Sequence, residues 1–289
     1  MSKSIEELTV FFREEIGSDI STDLDDADCM RFLRARKMNI HHAADMARRW
    51  HTWWHQYLPE NNSHLTPATI LTEMDDPLEP LITELCPHAL VGVDKAGHPI
   101  YWEQTGLIST RLGRLKHETT LQALVTRHIR LQEMLHVRRI FESKRTGRNI
   151  EKSTIVFDLK GVSMTPDFFG IEYMRKMLEI DQNFYPERLS HMVFINAPWF
   201  FSALYALFSA WIDPVTAEKI RVIKGDFLDQ LTDLIDIDQI PEELGGGMKV
   251  PQWHWPYPAE GGASPDQLRL YVTEKQTASG NSAAEESGA

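Results

Sequence analysis

The sequence predicts an α/β protein in which a small N-terminal helical unit precedes a mostly parallel sheet covered by helices. This prediction rests on two observations. Apolar residues among the first 58 residues recur at steps of three and four, which is typical of amphipathic helices. Further along, short apolar runs alternate with longer helical patterns, and strands joined by helices of this length form parallel sheets.

Three helices are predicted in the N-terminal unit. The first runs from Ser4 to Glu15, and the second follows an N-cap at Asp25-Asp26 and ends near Arg36. The third begins after Asn39 and carries a single apolar stripe. The stripe consists of Ala43, Met46, Ala47, Trp50, Trp53 and Tyr57. Residues 59–80 are rich in Pro, Asn, Ser and Thr, which predicts a linker.

Strands and helices alternate after the linker. The predicted strands are Pro99–Trp102, Ser153–Leu159, Met192–Asn196 and Lys219–Ile223. The predicted helices cover residues 121–135, 166–182, 199–211 and 226–235, and the basic segment 138–148 is predicted to be a loop. We therefore predict a helical domain at 1–58, a linker at 59–80, a second domain at 81–258 and a mostly flexible tail at 259–289.

Composition and charge limit the class of protein. The chain has 289 residues, 42% of them hydrophobic, with 30 Lys or Arg against 42 Asp or Glu and a formal net charge of −12. These values indicate a globular protein and argue against a nucleic-acid partner. Cys29 and Cys86 have no metal-ligand or redox spacing, and the N-terminus lacks a signal-peptide pattern, so we predict a cytoplasmic protein with buried thiols.

The uncharged segment from Met192 to Ile212 is too interrupted to span a membrane, because Asn196 and Pro198 divide it. Its second part, Trp199–Trp211, would form roughly 20 Å of helix. Aromatic side chains point in every direction from this helix, so it is either wholly buried or faces an apolar phase. Exposing three or four of them to water would cost roughly 5–10 kcal/mol, and a lid that closes an apolar cavity and touches a bilayer would avoid that cost.

Signatures of enzymes are absent or weak. The chain has no GxGxxG after a strand and no Walker A loop. Ser163 follows a strand and half resembles a nucleophile elbow, but Thr165 stands where close packing requires glycine. A serine hydrolase is therefore the weakest of the functions considered, and we predict no enzyme activity and no cofactor.

Candidate metal ligands are also weak in the sequence. His51 and His55 have the i, i+4 spacing of zinc ligands, but the residues between them supply no general-base Glu, so we interpret them as a surface pair. The acidic run of Asp23, Asp25, Asp26 and Asp28 lacks the glycine and the distant glutamate of a calcium loop. We interpret this run as the cap of the second helix and predict no metal.

Five motifs occur in a fixed order along the chain. They are Asp25-Asp-Ala-Asp-Cys-Met-Arg-Phe-Leu-Arg-Ala-Arg-Lys37, Phe157-Asp-Leu-Lys-Gly161, Gln182-Asn-Phe-Tyr-Pro-Glu-Arg188, Ile195-Asn-Ala-Pro198 and Asp213-Pro-Val-Thr-Ala-Glu-Lys-Ile220. The chain thereby resembles the CRAL-TRIO lipid-binding family, most closely its branch of phosphatidylinositol and phosphatidylcholine transfer proteins. The resemblance implies a helical bundle and an α/β lobe whose sheet floors a hydrophobic lipid pocket closed by a mobile gate helix. The gate corresponds to Trp199, Phe200, Phe201, Leu204, Tyr205, Phe208 and Trp211.

The resemblance also implies a headgroup site. In the family, a phosphatidylinositol headgroup is held by residues that match Arg36, Glu187, Thr216 and Lys219. Cations can neutralise a phosphodiester, and the hydroxyl and carboxylate can bond its oxygens and the inositol hydroxyls. Ser153 matches the first of two hydroxyl residues that contact a second lipid. Ile155 stands at the position of the second hydroxyl, so the second ligand is left open.

The predicted function is the exchange of single phospholipids between membranes by a phosphatidylinositol-binding protein, with presentation of phosphatidylinositol to lipid kinases. Its expected partners are phosphatidylinositol, a second phospholipid or other hydrophobic ligand, and a transient membrane surface. We expect a cytoplasmic, transiently membrane-associated monomer. The alternative is a sensor or scaffold for another hydrophobic ligand, such as a sterol, tocopherol or retinoid. Basic residues between Met30 and Trp50 could steer docking to anionic leaflets or form an ordinary solvated helix face.

Overall fold

The computed structural model describes residues 4–58, 64–67, 69–74, 76–165 and 167–250. These residues form two compact units. The first contains the described residues up to 74 together with residues 180–188, and the second contains the described residues of 76–179 and 189–250. The domain limits predicted at 58 and 81 stay predictions, although the structure groups 180–188 with the helical unit rather than with the rest of 81–258. Residues 251–258 and the predicted tail at 259–289 lie outside the described residues.

The first unit is built from helices. They are α1 (Ile5–Ile16), α2 (Ser18–Ser21), α3 (Asp26–Ala35), α4 (Ile40–Tyr57) and α5 (Ile70–Glu73). Side chains cap two of these helices: Asp25 accepts from the backbone N–H of Asp28 at the start of α3, as predicted, and Asn39 accepts from that of His42 at the start of α4. The interpretation of Asp25 as a helix cap is therefore confirmed.

Aromatic contacts hold the first unit together. The rings of Phe12 and Phe32 stack with centroids 6.4 Å apart, and Phe32 meets Trp50 edge-on at 6.3 Å. Trp53 stacks on Phe184, with centroids 4.2 Å apart, which attaches residues 180–188 to α4. The predicted stripe of α4 is buried up to Trp50, but beyond it Trp54 is the buried residue and Trp53 and Tyr57 are only half-buried.

The second unit contains a five-stranded sheet and its helices. The helices are α6 (Glu79–Leu85), α7 (Thr105–Glu118), α8 (Leu121–Thr146), α9 (Phe168–Phe184, which continues into the first unit), α10 (Phe201–Ser209), α11 (Pro214–Ala217) and α12 (Leu228–Thr232). The strands are β1 (His88–Val93), β2 (Pro99–Glu103), β3 (Ser153–Asp158), β4 (Leu189–Ile195) and β5 (Ile220–Val222), paired in that order. Strands β2 to β5 are parallel, and β1 is antiparallel to β2. The predicted α/β class with a mostly parallel sheet is confirmed.

The two faces of the sheet differ in burial. On one face, Trp102, Val156 and Val193 lie side by side across three strands, and each is 1% exposed. Thr154 on the same face is fully buried and donates through Oγ1 to Oδ2 of Asp94 at 2.7 Å. From β2 to β4 this face is sealed within the protein, whereas Arg221 beside Val193 on β5 is exposed, so an apolar site on the sheet must lie on the other face.

Sequence patterns missed or shortened several elements. The strand β1 and the helices α6 and α7 are additional to the prediction. The loop predicted at 138–148 is wrong, because α8 continues to Thr146. Arg138 is 4% exposed there and pairs with Glu142 one turn later, with Nη2 and Oε1 2.8 Å apart, so the first part of the charged run is buried in this helix.

Two further expectations concern membranes and thiols. Among the described residues, none of the helices combines the length and the apolar character that crossing a bilayer requires. Cys29 and Cys86 are both buried and free, as predicted. Burial raises the pKa of Cys29 to about 12 and that of Cys86 to about 11, so neither thiol is a reactive thiolate at neutral pH.

Candidate functional site

The open face of the sheet is apolar and incompletely covered. Two rows of neighbouring side chains cross β3, β4 and β5 on this face. They are Ile155, Met192 and Ile220, followed by Phe157, Phe194 and Val222. Phe194 is buried, whereas the other five are only half-buried. An apolar sheet face is normally covered by another layer, so this one has the character of a binding surface for an apolar ligand.

The helix α10 partly covers this face. Phe201 is 6% exposed and packs with Leu159 and Phe194, and the rings of Phe201 and Phe194 lie 5.2 Å apart. Leu204 and Tyr205, one turn further along, are half-buried against the same cluster. We call α10 the gate helix, because it is attached to the apolar face by one side only.

The other side of the gate segment meets solvent. Trp199 is 82% exposed, Leu207 48% and Trp211 37%, which excludes a wholly buried helix. The predicted helical span of 199–211 is also too long, because only Phe201–Ser209 is helical. Trp199 and Phe200 precede the helix with their rings at right angles, and Trp211 follows it with its ring beside that of Phe208.

Further apolar side chains are exposed where the parallel strands end. Leu107 follows β2, Met164 and Phe168 follow β3, and Trp199 follows β4; we call these four residues the apolar rim. Phe168 is 90% exposed and Met164 59%. Carboxyl ends of neighbouring parallel strands meet at one edge of a sheet, which is where open α/β sheets bind ligands. The apolar rim and the gate segment therefore occupy the same edge of the sheet.

Two of the predicted headgroup residues lie in one turn of the second unit. Thr216 is in α11, and its backbone N–H donates to Oδ1 of Asp213 at 2.9 Å. Lys219 follows, with its carbonyl accepting from the backbone N–H of Met192 at 3.0 Å, so the turn is attached to the sheet. Burial raises the pKa of Asp213, but the bonds from Thr216 and the charge of Lys219 outweigh this effect and hold it below its ordinary value.

The third predicted headgroup residue, Arg36, ends α3 in the first unit. Its Nη1 donates to the carbonyl of Ala35 at 3.0 Å, and no carboxylate lies within ion-pair distance of it among the described residues. Partial burial lowers the pKa of Arg36, and the nearby charge of Arg49 lowers it further. Two like charges without an acidic partner among the residues that the structure describes make this position favourable for an anion.

Glu187, the fourth, lies in the segment that packs against the first unit. Its φ is 60°, a left-handed conformation that is uncommon for a residue with a side chain. The next residue, Arg188, fixes the segment, because its Nη2 lies 3.3 Å from Oδ1 of Asp28 and its guanidinium lies 4.7 Å from the ring centroid of Tyr185. The structure thus brings Arg36 and Glu187 into one unit and Thr216 and Lys219 into the other.

Comparison with known proteins identifies the family. A family model described as CRAL/TRIO domain matches residues 87–246. The chain belongs to the CRAL/TRIO domain family. The crystal structure of Sfh5 shares the fold, with a TM-score of 0.63 and 20% identity over 90% of this chain and 82% of that one. The membership predicted from the five motifs is confirmed.

Several relatives of this CRAL/TRIO protein are transfer proteins or Sec14 factors by name. It is 30% identical to SEC14 cytosolic factor of Candida glabrata over 78% of its own length and 72% of the relative's. It is 31% identical to Sec14 cytosolic factor of Schizosaccharomyces pombe, over 79% and 77%. It is also 30% identical to phosphatidylinositol/phosphatidylcholine transfer protein SFH9 of Arabidopsis thaliana, over 76% of this chain and 37% of that protein.

The residues around Ser153 place limits on a second ligand of this CRAL/TRIO domain. Ser153 is 2% exposed, and its Oγ accepts from Nη1 of Arg139 at 3.1 Å, so a lipid contact would have to replace or share that bond. Ile155 is half-buried beside Met192 and Tyr101 on the open face of the sheet. The role of Ser153 stays a prediction.

Ser163, the candidate nucleophile of a hydrolase, has a structural role in its loop. The hydroxyl of Ser163 accepts from the backbone N–H of Thr165 at 3.2 Å, and its own N–H donates to Oγ of Ser109 at 3.1 Å. These bonds shape the exposed loop after β3. In the described part of the chain, no histidine forms a hydrogen bond with this hydroxyl, so the arrangement lacks the base of a catalytic triad.

Sequence reasoning missed part of the apolar rim. Met164 lies in the loop that contains Ser163, and Phe168 begins the helix just after it. The available signal was the presence of large apolar residues in a segment with no helical or strand periodicity.

Proposed function

We propose that this CRAL/TRIO protein binds phosphatidylinositol and exchanges single phospholipids between membranes through a gated hydrophobic pocket. The observation that carries the proposal is the half-buried apolar sheet face under the gate helix. A diacyl lipid has on the order of 30 methylenes, and at ~0.8 kcal/mol each its passage through water is prohibitive. A pocket floored by this face replaces one apolar environment with another, so lipid extraction becomes nearly balanced.

Headgroup selection is assigned to the four predicted residues. Arg36 supports this assignment because it is a half-exposed cation next to Arg49 without an acidic partner in the described residues. In our proposal, Arg36 and Lys219 neutralise the phosphodiester, Thr216 bonds one of its oxygens, and Glu187 accepts from inositol hydroxyls. Such bonds decide which lipid is retained, because the acyl chains of different phospholipids are alike.

The protein works, in this proposal, as a cytosolic monomer that docks transiently on a membrane. The names of the Sec14 cytosolic factors support the location. The apolar rim supports the docking, since Trp and Phe side chains partition into the interface between headgroups and acyl chains. On docking, the gate helix moves, one lipid leaves and another enters, and the gate closes again in solution. Presentation of phosphatidylinositol to lipid kinases would use the same opening, and no chemical step is assigned to the protein.

A second candidate function is the sensing or scaffolding of another hydrophobic ligand, such as a sterol, tocopherol or retinoid. The specific observation in its favour is Ile155, an apolar residue on the open face at the position where the transfer branch has a hydroxyl. An apolar contact there suits a ligand with little polar surface. Mass spectrometry of the lipid that co-purifies with the protein separates the two candidates.

The headgroup assignment is tested by vesicle-to-vesicle transfer of phosphatidylinositol. Each charge-assisted hydrogen bond contributes roughly 1.5–3 kcal/mol, so we expect Arg36→Ala and Lys219→Ala each to reduce transfer by ~10- to 100-fold. Arg114→Ala is the matched control, because it removes an exposed cation that is paired with Glu84 and Glu118 on the surface. Transfer at the wild-type rate in both test variants would show that the headgroup assignment is wrong.

A further inference from the structure

The helical unit brings three metal-binding side chains together. His51 and His55 are one turn apart on α4, and their Nε2 atoms lie 3.1 Å from each other. Oδ2 of Asp23, from the turn between α2 and α3, lies 3.8 Å from Nε2 of His51. The ligand atoms of the three residues all lie within 4.8 Å of one another. The first unit alone supplies these residues.

The spacing of these atoms suits a tetrahedral ion. Zinc takes nitrogen and oxygen ligands at ~2.0–2.1 Å, so two ligand atoms on one tetrahedral zinc lie ~3.3 Å apart. The two imidazole nitrogens, 3.1 Å apart, already have this separation within about 0.2 Å. Asp23 needs to approach His51 by about 0.5 Å and His55 by up to about 1.5 Å, movements that a rotation of the Asp23 side chain supplies.

We propose that His51, His55 and Asp23 form a binding site for a borderline divalent transition-metal ion, with Zn²⁺ as the ion of choice. Imidazole and carboxylate ligands suit zinc and its neighbours, whereas Mg²⁺ and Ca²⁺ prefer oxygen ligands alone. Three protein ligands leave the fourth position to water. His51 and Asp23 are partly exposed, so the ion can enter and leave from solvent.

Nearby charge favours a dication at this position. Asp23 carries one negative charge, and Asp19 is close enough to act on His51 electrostatically. Two neutral imidazoles and two carboxylates give a local charge of −2, which Zn²⁺ neutralises. The three side chains lie at the surface of the unit, with the ring of His51 beside that of the buried Trp50, their centroids 6.4 Å apart.

A direct hydrogen bond between the two histidines explains the approach of two of the three side chains, whereas a metal ion explains the approach of all three. The Nε2 atom of a neutral His51 either donates or accepts, so one proton serves one partner. A metal ion accepts a lone pair from all three side chains at once. The ion would then join α4 to a turn 28 residues earlier (51 − 23), and binding only to the folded unit would stabilise it.

The test is titration of the full-length, metal-free protein with Zn²⁺ in competition with a chromophoric chelator. We expect one equivalent to bind to wild type, and His55→Ala to weaken that binding at least ~10-fold, since even outer-shell changes cost 10- to 100-fold. Asp23→Asn is expected to weaken it as well. His42→Ala is the matched control, because His42 is an exposed histidine of the same helix outside the cluster. Mg²⁺ is expected to leave the chelator signal unchanged.

Thermal unfolding provides a second readout that does not depend on lipid transfer. Zn²⁺ should raise the Tm of wild type and of His42→Ala, and should raise that of His55→Ala less at the same Zn²⁺ concentration. Circular dichroism without metal establishes that each variant is folded before titration. Equal Zn²⁺ affinity in wild type and His55→Ala, or no stoichiometric binding by wild type, would overturn the proposal. Failure here leaves the lipid-transfer proposal intact, because the two use different residues.

Discussion

The attachment of the gate helix depends on one buried side chain, and its removal should release bound lipid. Phe201 is the single buried residue of α10, whose residues the structure describes in full, and it packs against Leu159 and Phe194. Its ring lies 5.2 Å from that of Phe194 and 6.2 Å from that of Tyr205. Phe201→Ala removes these contacts while leaving the helical backbone and the hydrogen bond from Lys224 Nζ to Ser202 Oγ (3.1 Å) in place.

The magnitude follows from the burial of the ring. Replacing a buried Phe by Ala costs ~3–5 kcal/mol, of which aromatic pairing supplies ~0.5–1.5 kcal/mol per pair. The gate helix is attached on one side only, so we take the lower value. Phe201→Ala should therefore reduce the free energy that favours the closed position of the helix by about 3 kcal/mol. A loss of this size shifts the ratio of closed to displaced gate by roughly 100-fold.

The assay measures release of a fluorescent phosphatidylinositol from the loaded protein into excess unlabelled vesicles. We expect Phe201→Ala to accelerate release by up to ~100-fold and Phe201→Leu, which keeps part of the contact, to give an intermediate rate. Leu207→Ala on the same helix is the control, because Leu207 is 48% exposed and should change the rate less than about 2-fold. Wild-type release by a folded Phe201→Ala, or equal effects of the two alanine variants, would refute the reasoning.

Other predictions concern the sealed face and one close backbone contact. Thr154→Val removes a hydrogen bond to the buried Asp94 carboxylate and should cost ~1.5–3 kcal/mol of unfolding free energy in urea titrations. Burial raises the pKa of Asp94, but its hydrogen bonds outweigh burial and lower the pKa overall. The ionised Asp94 therefore stabilises the folded state fully above the unfolded-state pKa of about 4, and this stabilisation disappears as the pH falls through the lower folded-state pKa. If the pH dependence of unfolding were the same in Thr154→Val as in wild type, this role of Asp94 would be contradicted. Gly106→Ala should destabilise by ~1–3 kcal/mol or more, because its Cβ would lie 1.9 Å from the carbonyl oxygen of Lys160, whereas Gly113→Ala on the same helix meets nothing within 4 Å and should stabilise by ~0.4–1 kcal/mol.

Some helices and strands could be predicted from the sequence and others could not. The strands β3 and β4 were predictable because continuous apolar runs are typical of parallel strands. The strand β1 was not, since it contains His88 and Gly92, whose places depend on partners elsewhere in the chain. The end of α8 was missed for a related reason, because Arg138 is buried there by pairing that composition does not reveal.

The parts of the candidate site that consist of neighbouring residues in the sequence were predictable. The parts that form only when the fold brings distant residues together were not. The gate segment stands out because it lacks a polar face. Phe168 begins α9 and is followed by Phe169, and two adjacent apolar residues at a helix start do not reveal which one packs inward and which one is exposed. Asp23 could not be joined to His51 and His55 from the sequence, since only the turn before α3 brings its carboxylate to α4.

The two helices that border the open face are attached by different kinds of contact. Nη2 of Arg127 lies 2.7 Å from Nδ1 of His88 on β1, and Arg139 bonds Ser153 on β3, so α8 is held by directional polar bonds whose strength falls steeply with displacement. The contacts of α10 are between rings and aliphatic chains, which tolerate sliding. The helix α8, bonded to β1 and β3, should therefore stay in place, whereas α10 beside β5 should be able to move. Acyl chains should consequently enter along the β5 edge, and cross-linking α10 to that strand should trap whichever ligand is already inside.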